Sequence, residues 1–430
     1  MITNTKIAIE GGYKIDGQIR ISGSKNAALP ILAATLLTDE EIIIDNLPHL
    51  DDISVMINLL LSFGADVGFM GHGSKMSSRG KKISVKCNKI TSTFAPYDLV
   101  NKMRASIIVL GALIARFGKA EISLPGGCAI GLRPINFHLE ALKKMGTTIE
   151  IESGHVKATA KDGLKGAHII FDKISVGATE NILIAASLAK GRTIIENAAL
   201  EPEVIALVDM LKSMGANIHI EDRTFIIEGV EKLNAAKVTV IPDRIEAGSY
   251  ALAALATNGQ VKLNGVTKEV FKSIDKQMSL IGAEITETDG GVFVKKVSKA
   301  QENIEIETKE YPGFPTDMQA QFCAFLAAEG ATAKISERIW ENRFMHIQEL
   351  NRMGANITVS DHTASISSVK DLSGAEVSAT DLRASMALII AALAAKGRTV
   401  IDNTHHIDRG YEAFEEKLQR CGAKIYRIVA

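Results

Sequence analysis

A phrase made of a hydrophobic residue, a glycine, a small residue and a strand-like run recurs six times along this 430-residue chain. The copies are SFGADV, KKMGTTIEI, SMGANIHI, LIGAEIT, RMGANITV and RCGAKIYRI, and their glycines are Gly64, Gly146, Gly215, Gly282, Gly354 and Gly422. Subtraction of these residue numbers gives spacings of 82, 69, 67, 72 and 68, and the longest contains the stretch GHGSKMSSRGKK, which we expect to be an inserted hairpin. Six copies of about 70 residues therefore account for the whole chain.

Every copy has the same internal order. A polar opening leads into an almost wholly apolar helix such as DLRASMALIIAALAAKG, a short strand such as RTIIEN follows, and an amphipathic helix such as PINFHLEALKKMG ends at the repeated glycine. A helix that is apolar on every side must be buried, and strand-helix-strand order favours parallel pairing within a copy. The pattern predicts an α/β fold with two groups of three copies around buried helices, although the sequence does not exclude one closed ring of six.

The two ends of the chain define the expected domains. Strand-like segments KIAIEGG and QIRISG precede the first buried helix, so residues 1–21 are expected to complete the last group. The boundary is placed near Ile241 and Pro242. This gives one domain of residues 22–241 and a second of residues 1–21 plus 242–430, with a hinge at the two crossings.

Charge and composition exclude several classes of function. The formal net charge of -1 gives no global attraction to nucleic acid or to a membrane surface, and the basic stretch 75–89 lacks interleaved aromatic residues and is expected to be a solvated hairpin. The longest apolar runs, such as 386–395, fall short of the roughly 18 residues that span a bilayer, and the N-terminus does not resemble a signal peptide. We therefore expect a cytoplasmic protein with no nucleic-acid or membrane partner, and its oligomeric state stays open.

No metal or cofactor is predicted. The four cysteines have no CxxC spacing, the adjacent His405 and His406 lack a third ligand, and neither a P-loop nor a GxGxxG motif after a strand is present. Cys87, Cys323 and Cys421 are expected to be structural.

Anion-binding groups concentrate at the start of the buried helices. Helix N-termini attract anions through unpaired backbone N–H groups. The turn before the second helix carries an arginine in three copies, and such a set is typical of a clamp for carboxylate or phosphate, whereas each arginine alone would be an ordinary surface or capping residue. The openings contain Lys25, Asn26, Arg104, Ser175, Val176, Gly177, Arg244, Asp317, Asp381 and Arg383, and the turns contain Arg133, Arg343 and Arg409.

Two residues have the chemistry of catalytic groups. Cys128 lies in the glycine-rich loop PGGCAIGLRP beside Arg133, which could lower its thiol pKa, but it could equally be an ordinary loop cysteine. Asp317 in GFPTDMQAQ begins a helix and is either a general base or a carboxylate that stabilises the helix dipole.

Nine motifs in order give a specific resemblance. They are GSKNAALP, MRAS, LPGGCAIGLRP, SVGAT, PDRIEAG, FPTDMQAQ, ENRFMH, ATDLRAS and IDRGYE. The chain resembles the UDP-N-acetylglucosamine 1-carboxyvinyltransferase family, the enolpyruvyl transferases of peptidoglycan synthesis. The resemblance implies a two-domain inside-out α/β barrel of six βαβαββ-type repeats, three per domain, with the active site in the cleft between the domains. It also implies transfer of the enolpyruvyl group of phosphoenolpyruvate to the 3-hydroxyl of UDP-N-acetylglucosamine with release of phosphate.

The resemblance also implies roles for individual residues. Cys128 would be the proton donor, would form a covalent adduct with phosphoenolpyruvate and would be alkylated by fosfomycin, and Asp317 would be the base. The catalytic and phosphoenolpyruvate-binding groups would be Lys25, Asn26, Arg133, Arg343, Arg383 and Arg409. The UDP-N-acetylglucosamine contacts would be Asn26, Arg104, Arg133, Pro134, Ile135, Asn136, Phe137, His138, Lys173, Ile174, Ser175, Val176, Gly177, Asp317 and Ile339.

The sequence departs from the family pattern at two positions. Asn136 stands where the family commonly has Asp, which leaves the uracil contact open, and Ala247 stands where Thr is frequent. The nearest alternative in the same fold is 5-enolpyruvylshikimate-3-phosphate synthase, whose relatives lack the PGGC loop. A non-catalytic nucleotide-sugar-binding scaffold is the alternative from another class, and the joint presence of Cys128, Asp317 and Lys25 with the arginines argues against it.

Overall fold

A computed structural model of the chain describes residues 5–70, 80–124 and 135–429. Cys128, Arg133, Pro134 and part of the basic stretch 75–89 lie outside these described residues. The described chain divides into two compact units. We call residues 22–70, 80–124 and 135–241 the inserted unit, and residues 5–21 and 242–429 the enclosing unit.

The strands of the described residues are short, and most alternate between buried and exposed side chains. They are β1 (Thr5–Glu10), β2 (Asp16–Arg20), β3 (Glu41–Leu47), β4 (Asp66–Met70), β5 (Lys81–Lys86), β6 (Phe94–Ala95), β7 (Lys119–Ser123), β8 (Thr148–Glu152), β9 (His155–Thr159), β10 (His168–Ile170), β11 (Arg192–Glu196), β12 (Asn217–Glu221), β13 (Thr224–Glu228), β14 (Ala236–Thr239), β15 (Gln260–Asn264), β16 (Ala283–Thr288), β17 (Gly291–Lys296), β18 (Ile304–Glu307), β19 (Ala333–Ser336), β20 (Asn356–Ser360), β21 (Thr363–Ser367), β22 (Glu376–Ser378), β23 (Arg398–Asp402) and β24 (Lys424–Val429).

The helices of the same residues alternate along the chain between buried and amphipathic ones. They are α1 (Lys25–Ala34), α2 (Asp51–Phe63), α3 (Tyr97–Val100), α4 (Val109–Phe117), α5 (Asn136–Lys144), α6 (Val176–Ala186), α7 (Pro202–Ser213), α8 (Arg244–Ala256), α9 (Asp275–Leu280), α10 (Gln319–Glu329), α11 (His346–Arg352), α12 (Leu382–Ala394) and α13 (Phe414–Arg420). Five 3₁₀ turns accompany them, at Thr35–Leu37, Arg104–Ile108, Lys268–Phe271, Thr316–Met318 and Thr404–Arg409.

The described strands form six four-stranded sheets with one shared pattern. In the sheet β10-β11-β13-β12, β10 and β11 are parallel, and β11 and β12 each pair antiparallel with β13. A buried helix connects the parallel pair and an amphipathic helix precedes the antiparallel hairpin, which is the predicted βαβαββ unit. The other five sheets have the same arrangement of one parallel and two antiparallel pairs, so the repeat prediction and the predicted fold class are confirmed.

Distant segments complete three of these sheets. In the inserted unit, β14 is the last strand along the chain, and it completes the first sheet of that unit by pairing parallel with β3. In the enclosing unit, β2 lies parallel to β15, and β1 lies antiparallel between β23 and β24. The N-terminal strands are therefore integral parts of two sheets of the enclosing unit.

The predicted all-apolar helices form the centre of each unit. In the enclosing unit α8, α10 and α12 contact one another, and in the inserted unit α1, α4 and α6 do the same. Every residue of α12 from Leu382 to Leu393 is buried, including Arg383. The first backbone N–H groups of a helix have no partner within the helix, and the side chains that cap four of these helices are Ser24, Ser175, Asp243 and Asp381.

The six repeated glycines follow the amphipathic helices, and all have positive φ, between +78° and +104°. A left-handed residue at this place satisfies the last carbonyl groups of the helix, and glycine adopts it without a Cβ clash. Gly64, for example, donates its N–H to Leu61 at 2.9 Å and directs the chain into β4. The feature that revealed the repeat is thus a backbone requirement.

Candidate functional site

The predicted site residues among the described ones lie around Asp317 in the enclosing unit and in two clusters in the inserted unit. In the enclosing unit, one carboxylate is shared by two arginines. Asp317 lies in the 3₁₀ turn that opens α10, and its Oδ1 accepts from Arg343 at 2.7 Å while its Oδ2 accepts from Arg383 at 2.6 Å. Both arginine side chains are 6% exposed, whereas the Asp317 side chain keeps 26% exposure. The structure therefore brings together three residues that the sequence places 26 and 66 positions apart.

A buried glutamate holds the turn that carries Asp317. Glu337 Oε2 accepts from the Thr316 hydroxyl at 2.7 Å, and the same hydroxyl oxygen accepts from Arg343 Nη1 at 2.7 Å. Glu337 Oε1 accepts from the backbone N–H groups of Ile339 and Trp340 at 2.8 and 3.1 Å. One carboxylate thus fixes the Asp317 turn, the Arg343 side chain and the turn of Ile339, a predicted substrate contact.

A hydroxyl network supports the second arginine. Ser249 Oγ donates to the Ile245 carbonyl at 2.7 Å, so the Tyr411 hydroxyl, 2.8 Å away, donates to Ser249. The Tyr411 oxygen is then free to accept from Arg383 Nη1 at 3.3 Å. Arg383 sits in the first turn of α12, where a helix dipole disfavours a cation, and the Asp381 carboxylate that caps this helix offsets that cost.

Electrostatics keep this cluster ionised. Burial favours the protonated form of Asp317, but Arg383 and Arg343 outweigh it and hold the pKa of this carboxyl well below its usual range. Burial acts against the charge of Arg383 too, and Asp317 nevertheless raises the pKa of Arg383 above its ordinary value. Two nearly buried guanidinium groups aimed at one carboxylate form a site that can hold a carboxylate or phosphate group.

The remaining predicted residues of the enclosing unit lie on neighbouring turns. Arg409 ends the 3₁₀ turn Thr404–Arg409, which contacts α12. Burial, His405 and Arg409 lower the pKa of His406 to about 4. In the described part of the chain, no three His, Cys, Asp or Glu side chains are grouped as metal ligands would be.

In the inserted unit, Lys25 is the first residue of α1 and forms an ion pair with Asp52 at 3.1 Å. Lys25 is 12% and Asp52 5% exposed, so this charge is held close to the start of the helix with restricted freedom. Asn26 follows Lys25 on the same turn, and Ser24 caps it. The polar opening predicted for this copy is therefore an ordered helix N-terminus with an anchored ammonium group.

A second cluster of this unit joins two predicted sugar-nucleotide segments. His138, in the first turn of α5, lies against the start of α6, where a Cβ at Gly177 would be 3.4 Å from its Cε1 and 3.6 Å from its Nε2. Burial, and then the charge of Arg104, lower the pKa of His138 to about 4. Phe137 packs edge-on against Phe171 with ring centroids 6.2 Å apart. The segments 135–138 and 173–177 thus meet at the N-terminus of α6, which Ser175 caps.

The catalytic cysteine predicted from the sequence, Cys128, lies outside the described residues together with Arg133 and Pro134. The three other cysteines are buried and unpaired. Burial raises the pKa of Cys87 and Cys421 to about 11 and that of Cys323 to about 12, so their thiolates are scarce at neutral pH.

Sequence reasoning missed several supporting residues of these clusters. Tyr411 lies within the motif IDRGYE, but nothing in the sequence indicates its contact with Arg383. Glu337, Asn181 and Asp52 had no signal in the sequence, because the site residues that they hold, Thr316, His138 and Lys25, lie 21 to 43 positions away in the chain.

Within the residues that the structure describes, no helix has both the length and the apolar character needed to cross a bilayer.

The fold and the paired guanidinium site define an anion-binding α/β protein built from six repeats, and comparison with known proteins agrees. The sequence profile of the EPSP synthase (3-phosphoshikimate 1-carboxyvinyltransferase) family matches residues 9–418. The enolpyruvyl transferase NikO from Streptomyces tendae has a similar structure, with a TM-score of 0.89 at 25% identity and full coverage of both chains. EPSP synthase from Acinetobacter baumannii shares the fold, with a TM-score of 0.74 at 18% identity, covering 99% of this chain and all of the other.

The chain belongs to the EPSP synthase family of enolpyruvyl transferases. Within it, the sequence is similar to curated proteins named UDP-N-acetylglucosamine 1-carboxyvinyltransferase. The protein from Paramagnetospirillum magneticum is 48% identical over 98% of both chains, and that from Xanthobacter autotrophicus is 49% identical over 98% of this chain and 99% of its own.

Proposed function

We propose that this protein transfers the enolpyruvyl group of phosphoenolpyruvate to the 3-hydroxyl of UDP-N-acetylglucosamine and releases phosphate, the first committed step of peptidoglycan precursor synthesis. The observation that carries this proposal is sequence identity of 48–49%, over 98% of this chain, to relatives named UDP-N-acetylglucosamine 1-carboxyvinyltransferase. The ion-pair geometry around Asp317 supports it because both substrates are anions.

In this proposal the arginines bind phosphoenolpyruvate. Arg343 and Arg383 hold Asp317 with charge-assisted bonds, and a substrate carboxylate or phosphate offers the same acceptor geometry. Phosphoenolpyruvate would therefore take guanidinium donors that Asp317 occupies. Asp317 would then lose stabilising charge, its pKa would rise toward the ordinary range, and its ability to accept a proton would increase. Lys25, Asn26, Arg133 and Arg409 are the further proposed ligands.

The proposed reaction is an addition followed by an elimination. The sugar 3-hydroxyl oxygen bonds to C2 of phosphoenolpyruvate, its proton passes to Asp317, and Cys128 delivers a proton to C3. The tetrahedral ketal then returns a proton from C3 to the Cys128 thiolate, and the C3–H electron pair forms the C2=C3 double bond. The bond from C2 to the phosphate oxygen breaks with its electrons going to that oxygen, and phosphate leaves with the proton from Asp317. The arginines stabilise the anionic groups through both steps.

The sugar nucleotide is assigned to the inserted unit, where an ordered helix N-terminus faces a buried imidazole. Segments 135–138 and 173–177 meet there, with Arg104 close enough to influence His138. Backbone N–H groups at such a terminus suit a diphosphate. Ile339 and Asp317 are further proposed contacts of the sugar nucleotide.

The test is phosphate release with both substrates, comparing the wild type with Cys128→Ser and Asp317→Ala. Glu329→Gln is the matched control, because it removes a partly buried ion pair with Lys296 elsewhere in the enclosing unit. We expect release from the wild type and control, and its loss in Asp317→Ala. No phosphate from folded wild type with intact substrates would refute the proposal, and acceptance of shikimate 3-phosphate in place of the sugar nucleotide would favour the alternative enzyme.

Because both substrates are metabolites of the cell interior, we also propose a cytoplasmic location. Cys128 would be the site at which fosfomycin inactivates the enzyme covalently. Cys128→Ser should retain no fosfomycin label in intact-mass measurements, whereas the wild type should gain one.

A further inference from the structure

A buried amide connects three helices of the inserted unit. Asn181, on α6, is fully buried, and its side chain reaches α4 and the ring of His138 on α5. Its Oδ1 accepts from the backbone N–H of Gly111 at 2.8 Å, and its Nδ2 lies 3.3 Å from the Ile107 carbonyl and 2.9 Å from His138 Nδ1. Gly111 allows this approach, since a Cβ there would be only 2.4 Å from Asn181 Oδ1.

The neighbours of Asn181 fix which end of its amide is nitrogen. The Gly111 N–H is only a donor and must face the amide oxygen, and the Ile107 carbonyl is only an acceptor and must face the amide nitrogen. With the opposite orientation both contacts would be repulsive inside the core. The group that faces His138 Nδ1 is therefore an N–H donor.

A donor at this position determines where the proton of His138 resides. Nδ1 must accept from Asn181, so it carries no hydrogen. Burial and Arg104 keep the pKa of His138 at about 4, so the ring is neutral at pH 7 and carries one N–H, on Nε2. That atom faces Gly177, whose lack of a side chain leaves room beside it at the start of α6.

We propose that Asn181 is a positioning residue that holds His138 as the Nε2–H tautomer, so that this N–H donates to an oxygen of the sugar nucleotide at the N-terminus of α6. The ligand identity rests on the proposed function, whereas the tautomer does not. With the opposite tautomer, His138 would present a lone pair to the oxygen-rich ligand and would repel it. Asn181 thus determines whether His138 attracts or repels an oxygen of the ligand, and it does so without contacting the ligand itself.

The first experiment is ¹⁵N NMR of histidine-labelled wild type at pH 7.5, with and without UDP-N-acetylglucosamine. We expect His138 Nδ1 to resonate as an unprotonated nitrogen and Nε2 as a protonated one, and the Nε2 proton to shift when the nucleotide binds. A protonated Nδ1 would overturn the proposal, as would an unchanged Nε2 proton while calorimetry shows that the nucleotide binds. Failure of the wild type to bind the nucleotide in calorimetry would instead refute the proposed function.

The second experiment uses Asn181→Leu, with Thr179→Ser as control on the same helix, where Thr179 contacts Ala199 and not His138. Loss of one oriented hydrogen bond corresponds to about tenfold, so the KM for UDP-N-acetylglucosamine should rise about tenfold with kcat within about threefold. The control should match the wild type. In a His138→Ala background, Asn181→Leu should have no further effect on nucleotide affinity. An equal loss in both backgrounds would show a merely structural role and refute the proposal.

Discussion

Replacing Asp317 by Asn should strengthen anion binding and abolish catalysis. The substitution keeps the shape of the side chain but removes the charge that holds Arg343 and Arg383. If Asp317 occupies donors that phosphoenolpyruvate needs, the variant should bind phosphoenolpyruvate and inorganic phosphate more tightly than the wild type. Its turnover should be lost, because an amide cannot accept the proton of the sugar hydroxyl.

The size of the effect follows from the two contacts. A hydrogen bond to a charged group contributes about 1.5–3 kcal/mol, and the 26% exposure of Asp317 favours the lower end of this range. Asn retains one acceptor, so about one such bond is lost, and the free energy of unfolding without ligand should fall by about 1.5 kcal/mol. Release of the same competing bond should lower the Kd for phosphoenolpyruvate by about tenfold, since 1.4 kcal/mol corresponds to a factor of ten.

Isothermal calorimetry with phosphoenolpyruvate and urea denaturation with and without phosphate measure both quantities. Ligand should restore the stability of Asp317→Asn, because an anion replaces the missing carboxylate. Glu329→Gln loses a partly buried ion pair in the same unit and should show destabilisation without this recovery. Weaker or unchanged binding of phosphoenolpyruvate by a folded Asp317→Asn variant would refute the idea that Asp317 competes for the arginines.

Three further outcomes are expected. A thiol-alkylating reagent at pH 7.5 should label the native protein once, at Cys128, and the unfolded protein four times. The reason is that the other three thiols are buried and have raised pKa values. Detection of a second label on the native protein by mass spectrometry would contradict this. His138 should lower the free energy of unfolding by about 2 kcal/mol between pH 7 and pH 5. Its pKa of about 4 in the folded protein lies below an unfolded value near 6.5, so the unfolded chain binds a proton that the folded protein does not. Urea titrations of His138→Gln should therefore show a smaller fall than those of the wild type. Gly146→Ala should lower the free energy of unfolding by about 1 kcal/mol through backbone strain alone, since φ is +93° and no atom lies within 4 Å of the added Cβ, and an unchanged urea midpoint would contradict it.

The fold was accessible from the sequence because its determinants are local and repeated. Each repeated glycine ends a helix in a left-handed conformation, and each apolar stretch such as that of α12 has to be buried. Six repetitions of a weak local signal make a strong one. The order of strands within a copy then follows from the short connections.

The site was accessible only as a set of residue types. The motifs identified Asp317, Arg343 and Arg383 as candidates, but the sequence contains no information that they neutralise one another before substrate arrives. Asn181 was not recognised, because an asparagine inside an apolar helix has no pattern and its partners are 43 and 70 residues away. Pairings of this kind depend on side-chain directions in the packed core.

The position of β1 has a consequence for how the chain is made. Its partners β23 and β24 are synthesised about 390 and about 420 residues later, which at roughly 5–20 residues per second is a delay of about 20–80 s. The inserted unit is complete once β14 has emerged, so it can fold while β1 still waits with Ile7 and Ile9 uncovered. The nascent protein is then a folded unit preceded by an unpaired apolar strand, so the interval before β23 and β24 emerge is a stage at which β1 is exposed to aggregation and to chaperone capture.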